Sequence, residues 1–406
     1  MTAGESFSKA VRLAMLSAAF LWRRLIPRTT FIAVTGSFGK TTCTELLAAA
    51  LSHRYRVTRT LQNWNSWNGV ASTILHAMPW HRYAVVEAAT WQPGALARSA
   101  AMIRPDIAII LTVGNTHRKR FHSIDAIAAE KATLLSSLQP SGLAVLNVDD
   151  PRVAAMADGK HVRVLRIGSG EQCDLQGEPV PPVEPGRLSL RVRCAGQELI
   201  LHTNLYGPHW SPSVLAAMAV AHECGVPLAE AANAIENLAP ITDRLQLVTL
   251  ANGVQFLRDD YNCSMDSVAP ALSTFAALPA ARKIFVLSYL ADSDMRPRNR
   301  SAEVTKQASS FAQVVVCIGP QARHGVRGAI AGGMDPAAVF QFATVKAAAD
   351  FLHPFLQSGD LVLAKGGGHL ARIFLSFDRP IACWSELCRL TALCDHCPKL
   401  QRPAQS

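Results

Sequence analysis

The segment Val34-Thr35-Gly36-Ser37-Phe38-Gly39-Lys40-Thr41-Thr42 constrains this chain more than any other. It follows a short apolar run at 31–34 and precedes a helical pattern at 42–51. Strand, glycine turn and helix in that order build an anion site. Small residues let backbone N–H groups turn toward a phosphate, and the helix opening at Thr41 adds its positive end. Lys40 can neutralise β- and γ-phosphate charge, and the Thr41 hydroxyl can take a Mg2+ position. Val34 stands where the commoner G-x-x-x-x-G-K-[ST] form has its first glycine, so this loop is a compact variant.

The rest of the chain extends the same architecture. Apolar strands are expected at 84–86, 107–111 and 143–147, with helical patterns between them, for example at 123–138. That alternation predicts a mainly parallel sheet. Residues 170–205, rich in Pro and Gly, read as a small antiparallel insert or edge with strands at 188–192 and 198–201. An alanine-rich helix follows at 213–224. A boundary falls near Pro240, and a second α/β unit is expected beyond it, with strands at 255–258, 283–287, 314–318 and 361–364. With 406 residues, more than one core is required. The expected fold class is α/β: a central P-loop ATPase domain with a mainly parallel sheet, plus a C-terminal Rossmann-like α/β domain. The expected organisation is a basic amphipathic helix at 1–30, the ATP-binding domain at 31–240, the second domain at 241–382 and a cysteine-containing tail at 383–406, itself a helix and a polar end.

Composition removes several alternatives. Hydrophobic residues at 49% and charged residues at 17% exclude a disordered chain or a coiled coil. No apolar stretch reaches the roughly 18–20 residues of a spanning helix. No cleavable secretory signal opens the chain, so a reduced, cytoplasmic protein is expected despite ten cysteines. The net charge of +10 suits a polyanionic partner. The excess is spread along the chain without an aromatic RNA-reading motif, so nucleic acid is not expected.

Two features at the ends stay open. In residues 1–30, Lys9, Arg12, Arg23, Arg24 and Arg28 oppose only Glu5, and Phe7, Val11, Ala14, Ala18, Leu21 and Leu25 recur at steps of three and four. The helix either packs on the body of the protein or lies on the inner face of a membrane through residues 1–26. Near the C-terminus Cys383, Cys388, Cys394 and Cys397 fall at C-x4-C-x5-C-x2-C. The last pair, with His396, invites Zn2+, but the earlier spacings are poor for a zinc ribbon. A redox pair and ordinary free thiols are the other readings.

The T-G-x-x-G-K-T-T form, with the motifs after it, resembles the Mur ligase family over almost all of residues 31–380, most of all the branch that adds D-Ala-D-Ala to a muramoyl tripeptide. Val85-Val86-Glu87 ends a strand and Gly94 follows. A strand after Pro105-Asp106 ends in Thr112-Val113-Gly114-Asn115-Thr116-His117. Then come Ile127-Ala128-Ala129-Glu130-Lys131, Asn147-Val148-Asp149-Asp150, Arg244, Asp259-Asp260-Tyr261-Asn262 with Asp266-Ser267, and Gly359-Asp360-Leu361-Val362-Leu363-Ala364-Lys365-Gly366. The resemblance implies an ATP- and Mg2+-dependent ligase that joins a small carboxylic acid to an amine through an acyl phosphate and releases ADP and phosphate. It implies that Gly36, Ser37, Gly39, Lys40, Thr41 and Thr42 hold the nucleotide phosphates. Glu87 and His117 would be metal ligands beside Thr41, with a carbamylated Lys131 supporting a second metal. Arg244 would reach the ATP phosphates, and Asp259 or Asp260 the nucleotide. The second domain would close over ATP and keep water from the acyl phosphate.

Each residue also has a plainer reading. Glu87 could be a surface acid, and His117 part of the basic loop with Arg118, Lys119 and Arg120. Lys131 could be a solvated helix lysine, Asp259 and Asp260 strand terminators, and Lys365 a turn former. Three departures from the family stand out. The 30 residues before the phosphate loop are too few for its UDP-binding domain. Trp210 and Ser213 replace asparagines that usually approach adenine, so Trp210 either stacks on a base or fills core. Arg118 takes the place of an aspartate after the histidine. A loop in which Asn63, Asn65, Asn68 and Gly69 are interleaved with Trp64 and Trp67 resembles one the family uses near its acyl substrate. The acid is therefore expected to be a cell-wall peptide precursor or a small amino acid, the latter preferred. The alternative is a nucleotide-binding subunit that works with a partner such as a glutamine amidotransferase.

Overall fold

The computed structural model describes residues 3–61, 63–158, 162–261, 264–290, 295–367, 369–385, 388, 394–397 and 399–400, with side chains from residue 10 onward. Asn262 lies outside them, as does the side chain of Phe7. The chain forms two compact units: residues 1–183, 187–204 and 208–239, and residues 184–186, 205–207 and 240–406.

The first unit runs α1 (Ala3–Leu25), β1 (Thr30–Thr35), α2 (Lys40–Ser52), β2 (Val57–Arg59), α3 (Trp67–His76), β3 (Tyr83–Glu87), α4 (Ala95–Ile103), β4 (Ile107–Ile110), α5 (Arg118–Phe121), α6 (Ile124–Ala132), β5 (Leu143–Asn147), α7 (Pro151–Ala154), β6 (Arg163–Gly168), β7 (Leu175–Pro179), β8 (Arg187–Cys194), β9 (Gln197–Tyr206), α8 (Ser211–Glu223) and α9 (Leu228–Glu236). Its sheet has the order β2-β3-β1-β4-β5-β6-β7-β8-β9. Pairing is parallel from β2 through β7 and turns antiparallel at β8. The expected insert at 170–205 is thus the antiparallel edge of the main sheet. Strands β1, β3, β4 and β5 are buried along almost their whole length, as parallel strands covered on both faces must be. Alternate residues serve the two faces. Phe31, Ala33, Ala84, Val86, Ala108 and Ile110 join one cluster with side chains of α3 and α4.

Helix α1 joins that same cluster, but not by the face expected. Val11, Ala14, Ala18, Leu21 and Leu25 are exposed. The opposite stripe, Met15, Leu16, Ala19, Trp22 and Ile26, packs inward. Polar anchors decide the orientation. The Trp22 indole donates to the Ala77 carbonyl at 2.7 Å. Buried Arg23 donates to the carbonyls of Ile103 and Arg104 and pairs with Asp106 at 3.1 Å. No helix among the described residues is long and apolar enough to cross a membrane.

The second unit runs β10 (Gln246–Thr249), β11 (Gln255–Asp259), α10 (Val268–Ala277), β12 (Arg282–Leu287), α11 (Pro297–Ala308), β13 (Val314–Ile318), α12 (Ala322–Ala331), β14 (Val339–Phe342), α13 (Val345–Phe355), β15 (Asp360–Lys365) and α14 (Ala371–Asp378). Its sheet order is β10-β11-β15-β12-β13-β14, parallel except for β10. The chain steps outward over β12, β13 and β14 and returns to place β15 between β11 and β12, a doubly wound topology.

One expected helix is shorter than expected, and most of the helix expected in the tail lies outside the described residues. The one expected over 123–138 ends at Ala132, and a single 3₁₀ turn follows at Leu135–Ser137. Within 383–406 the described residues hold only the 3₁₀ turn Cys394–His396. There Cys397 and Leu400 are buried against Ala371 and Leu375.

Candidate active site

The first unit gathers its chemistry where the chain reverses direction in the sheet, at the carboxyl ends of β1, β3 and β4. Open parallel sheets collect ligands there. The loop 36–39 leaves β1 and is tied to the end of β4. Ser37 N–H donates to the Thr112 carbonyl at 2.9 Å, and Gly114 N–H donates to Ser37 Oγ at 2.6 Å. Gly39 caps α2 at φ 83°, and a Cβ there would sit 2.5 Å from Ser213 Oγ. Ser213, at the start of α8, in turn donates to the Gly39 carbonyl at 3.1 Å. Lys40 Nζ donates to the Gly36 carbonyl at 2.9 Å, folded over the loop it would serve. Thr42 is buried, and its hydroxyl has no hydrogen-bond partner. A buried orphan hydroxyl in the first turn of this helix suits a phosphate oxygen.

Beside the loop stands an oxygen cluster. Thr41 Oγ1 lies 2.9 Å from both Asn63 Oδ1 and Glu87 Oε2, so one hydroxyl proton sits between two acceptors. Asn65 Nδ2 donates to Glu87 Oε1 at 2.7 Å, and the Glu87 N–H donates to Thr60 Oγ1. Glu87 is 1% exposed and is therefore not a surface acid. The backbone of loop 63–66 presses on α3 at Gly69, where a Cβ would meet the Trp64 carbonyl at 2.0 Å. Convergent hydroxyl, amide and carboxylate oxygens are the donors a hard divalent cation prefers.

Lys131 is the third element. It is fully buried on α6, not solvated, and donates to Thr90 Oγ1 at 2.9 Å. Desolvation, then the charge of Lys40, holds its pKa well below the ordinary lysine value, against the pull of Glu130 and Asp150. That places the amine in the field of the phosphate-loop lysine. Both neighbouring acids are committed elsewhere. Glu130 accepts from Gly94 and Leu96 N–H at the start of α4, and Asp150 accepts from Val113 N–H and caps α7. His117 caps α5 at φ 63° and is half-buried. Among the described residues no three His, Cys, Asp or Glu groups come together as a ready metal cluster, at this site or among the tail cysteines.

In the second unit two acids of the β11 end are paired with basic side chains. The Asp259 carboxylate pairs with Lys365. Asp260, fully buried, faces Arg258, which also binds Asp243 and Asp395. Arg244 lies over the Tyr261 ring, 4.8 Å from its centre. It stands between Asp243 and Leu245, both at positive φ (60° and 49°), a strained turn of the kind found at functional positions. A crevice of about 560 Å3 opens at the carboxyl ends of β12, β13 and β15, lined by Ser288, Tyr289, Gly319 and Gly367.

Sequence reasoning passed over Asn63 and Asn65 as partners of Thr41 and Glu87, Thr90 as the partner of Lys131, and Ser213 as a buttress of the Gly36–Thr42 loop. Trp210 is 6% exposed and belongs to the buried core.

The two-unit fold recurs among known proteins. Residues 34–221 match the family model of the Mur ligase middle domain, and residues 243–368 that of the Mur ligase, glutamate ligase domain. The UDP-N-acetylmuramoyl-tripeptide–D-alanyl-D-alanine ligase of Mycobacterium leprae is 30% identical over 391 residues, covering 89% of this chain and 75% of that protein. The enzyme of the same name from Mycobacterium tuberculosis is 32% identical over 274 residues, which is 67% of this chain and 54% of that relative. The crystal structure of MurF from Acinetobacter baumannii superposes with a TM-score of 0.80 at 21% identity, covering 91% of this chain and 81% of that one. MurF from Thermotoga maritima in complex with ADP gives 0.77 at 20% identity, covering 90% and 83%. Two domain models in order across most of its length show that the chain belongs to the Mur ligase family of ATP-dependent, amide-forming ligases.

Proposed function

We propose that this chain joins the carboxylate of a peptide-like or amino-acid substrate to an amine, with ATP converted to ADP and phosphate. The observation that carries the reading is the Thr41–Asn63–Glu87 oxygen cluster beside the Gly36–Thr42 loop. A carboxylate is a poor electrophile at neutral pH. Attack of its oxygen on the γ-phosphorus forms a P–O bond, breaks the β–γ bridge and releases ADP. The amine nitrogen then attacks the acyl carbon, the C–N bond forms, and phosphate leaves with the electron pair of the broken C–O bond while the nitrogen loses its proton.

Phosphoryl transfer depends on position and charge more than on covalent help. Lys40, Thr42 and the loop N–H groups would hold the triphosphate. Thr41 and Glu87, with His117, would hold Mg2+, which when bound neutralises charge on the β- and γ-oxygens. Lys131 as a carbamate would add an anion on the metal side. Arg244, and Asp259 or Asp260, would take the nucleotide roles that the family resemblance assigns them. Relatives of this chain are named for ligation of UDP-N-acetylmuramoyl-tripeptide with D-alanyl-D-alanine, so a dipeptide amine and a peptide carboxylate are the first pair to try. The test is a nucleotide assay with D-alanyl-D-alanine and a panel of carboxylic acids. ADP and phosphate in step with amide are expected; AMP and pyrophosphate would overturn the acyl-phosphate route.

A further inference from the structure

Between α1, α3 and α4 lies a cavity of about 890 Å3, near the upper end of ordinary small-molecule sites. One wall is Leu13, Leu16 and Phe20 of α1; the other includes Trp67, Trp91 and Met102. The two indoles meet edge to face with ring centres 5.1 Å apart. Arg12 and Arg98 line the cavity, and the Arg98 guanidinium stands 4.8 Å over the Trp67 ring. A third cation, Arg120, lies 5.9 Å from the Trp91 ring centre. The Trp91 indole N–H is buried without an acceptor, which a native interior rarely tolerates. The cavity also adjoins the candidate active site. Ser66 and Asn68 line it, and Asn65, one residue earlier in the same loop, holds Glu87.

From this juxtaposition we propose that the α1–α3–α4 cavity is the binding site for the apolar portion of an amphiphilic anionic ligand, the acid substrate of the ligase. Apolar walls and flat indoles suit an alkyl chain or ring. The arginines suit a phosphate or carboxylate group. Charge and position together favour a dissolved amphiphile over a purely apolar guest or a simple anion. The assignment of this ligand as the acid rests on the ligase reading; the existence of the site does not.

The test titrates the full-length protein with dodecyl phosphate, kept below its aggregation concentration, and follows tryptophan fluorescence. Inorganic phosphate and vesicles of phosphatidylcholine with phosphatidylglycerol are run beside it. Saturable binding of dodecyl phosphate is expected, weakened about tenfold or more by Leu13→Glu and by Phe20→Glu. Both side chains are partly exposed, at 55% and 41%, so the variants should melt as wild type does. Lys40→Ala should bind the probe normally while losing ATP turnover. Equal binding of dodecyl phosphate by wild type and both glutamate variants would overturn the proposal. So would an affinity for inorganic phosphate equal to that for dodecyl phosphate, or binding to vesicles without binding to the dissolved probe. If the probe binds as expected but no acid supports ADP release, the ligase reading fails and the cavity assignment stands.

Discussion

The hydroxyl of Thr41 lies 2.9 Å from the carboxylate of Glu87, and this pair brings the first turn of α2 to the end of β3. Strands β1 and β3 pair in parallel with Val34 opposite Glu87, so the sheet register itself delivers the acid to the phosphate loop. If the two oxygens hold Mg2+, removing either should damage turnover without unfolding the chain. Thr41→Val keeps the shape and loses the donor. Glu87→Gln keeps a carbonyl for Asn65 and loses the charge. Each should lower kcat about a hundredfold or more, the loss typical of a deleted electrostatic contact, and raise the Mg2+ concentration for half-maximal rate. Circular dichroism should be unchanged. A wild-type Mg2+ dependence in both variants would remove these residues from the metal site.

Lys131 invites a chemical test. Carbamylation needs a neutral amine, and burial, with the charge of Lys40, shifts the lysine toward that form. Lys131→Ala should abolish activity, and acetate or propionate entering the vacated space should restore part of it. Lys131→Arg should not be rescued, because its guanidinium stays charged and unreactive toward CO2. Depleting bicarbonate should slow the wild type reversibly. Full activity of Lys131→Arg would show that only a cation is required.

The phosphate loop is legible in the sequence because its chemistry is local. Gly39, Lys40 and Thr41 act within one turn of each other, and the strand and helix around them are strongly patterned. The face of α1 is not legible, since that helix has two apolar stripes. Val11, Ala14, Ala18, Leu21 and Leu25 repeat as well as Met15, Ala19, Trp22 and Ile26 do. Only Arg23 and Trp22, reaching Ile103 and Ala77, choose between them. The same holds for Asn63 and Asn65, whose partners Thr41 and Glu87 each lie 22 residues away. Short strands such as β2 and β10 escape notice because they are half-buried and show no clean alternation.

Gly39 should tolerate no side chain. Its φ of 83° already strains any L-residue, and a Cβ would press on Ser213 Oγ. Gly39→Ala should destabilise by about 1–3 kcal/mol and weaken nucleotide binding. Removing the Ser213 hydroxyl in Gly39→Ala/Ser213→Ala should relieve the contact but not the backbone strain, so recovery should be partial. Thermal melts of the single and double variants decide this; strictly additive losses would mean that the two residues do not press on each other.

Asp243 makes the second unit sensitive to pH in a defined direction. Desolvation, then the neighbouring Asp260, raises its pKa from 3.8 to about 8, against the pull of Arg258. Asp260 is raised too, again mainly by burial, and Asp395 is a third carboxyl at Arg258. A carboxyl with a raised pKa binds its proton more tightly in the folded chain than in the unfolded one. Its stabilisation is therefore complete below the unfolded value near 3.8 and is lost as pH rises through about 8. Asp243→Asn mimics the protonated carboxyl at every pH. The variant's advantage over wild type should grow from pH 5 to pH 9, by roughly 3 °C or more. Parallel melting curves for the two proteins across that range would show that Arg258 keeps Asp243 ionised throughout.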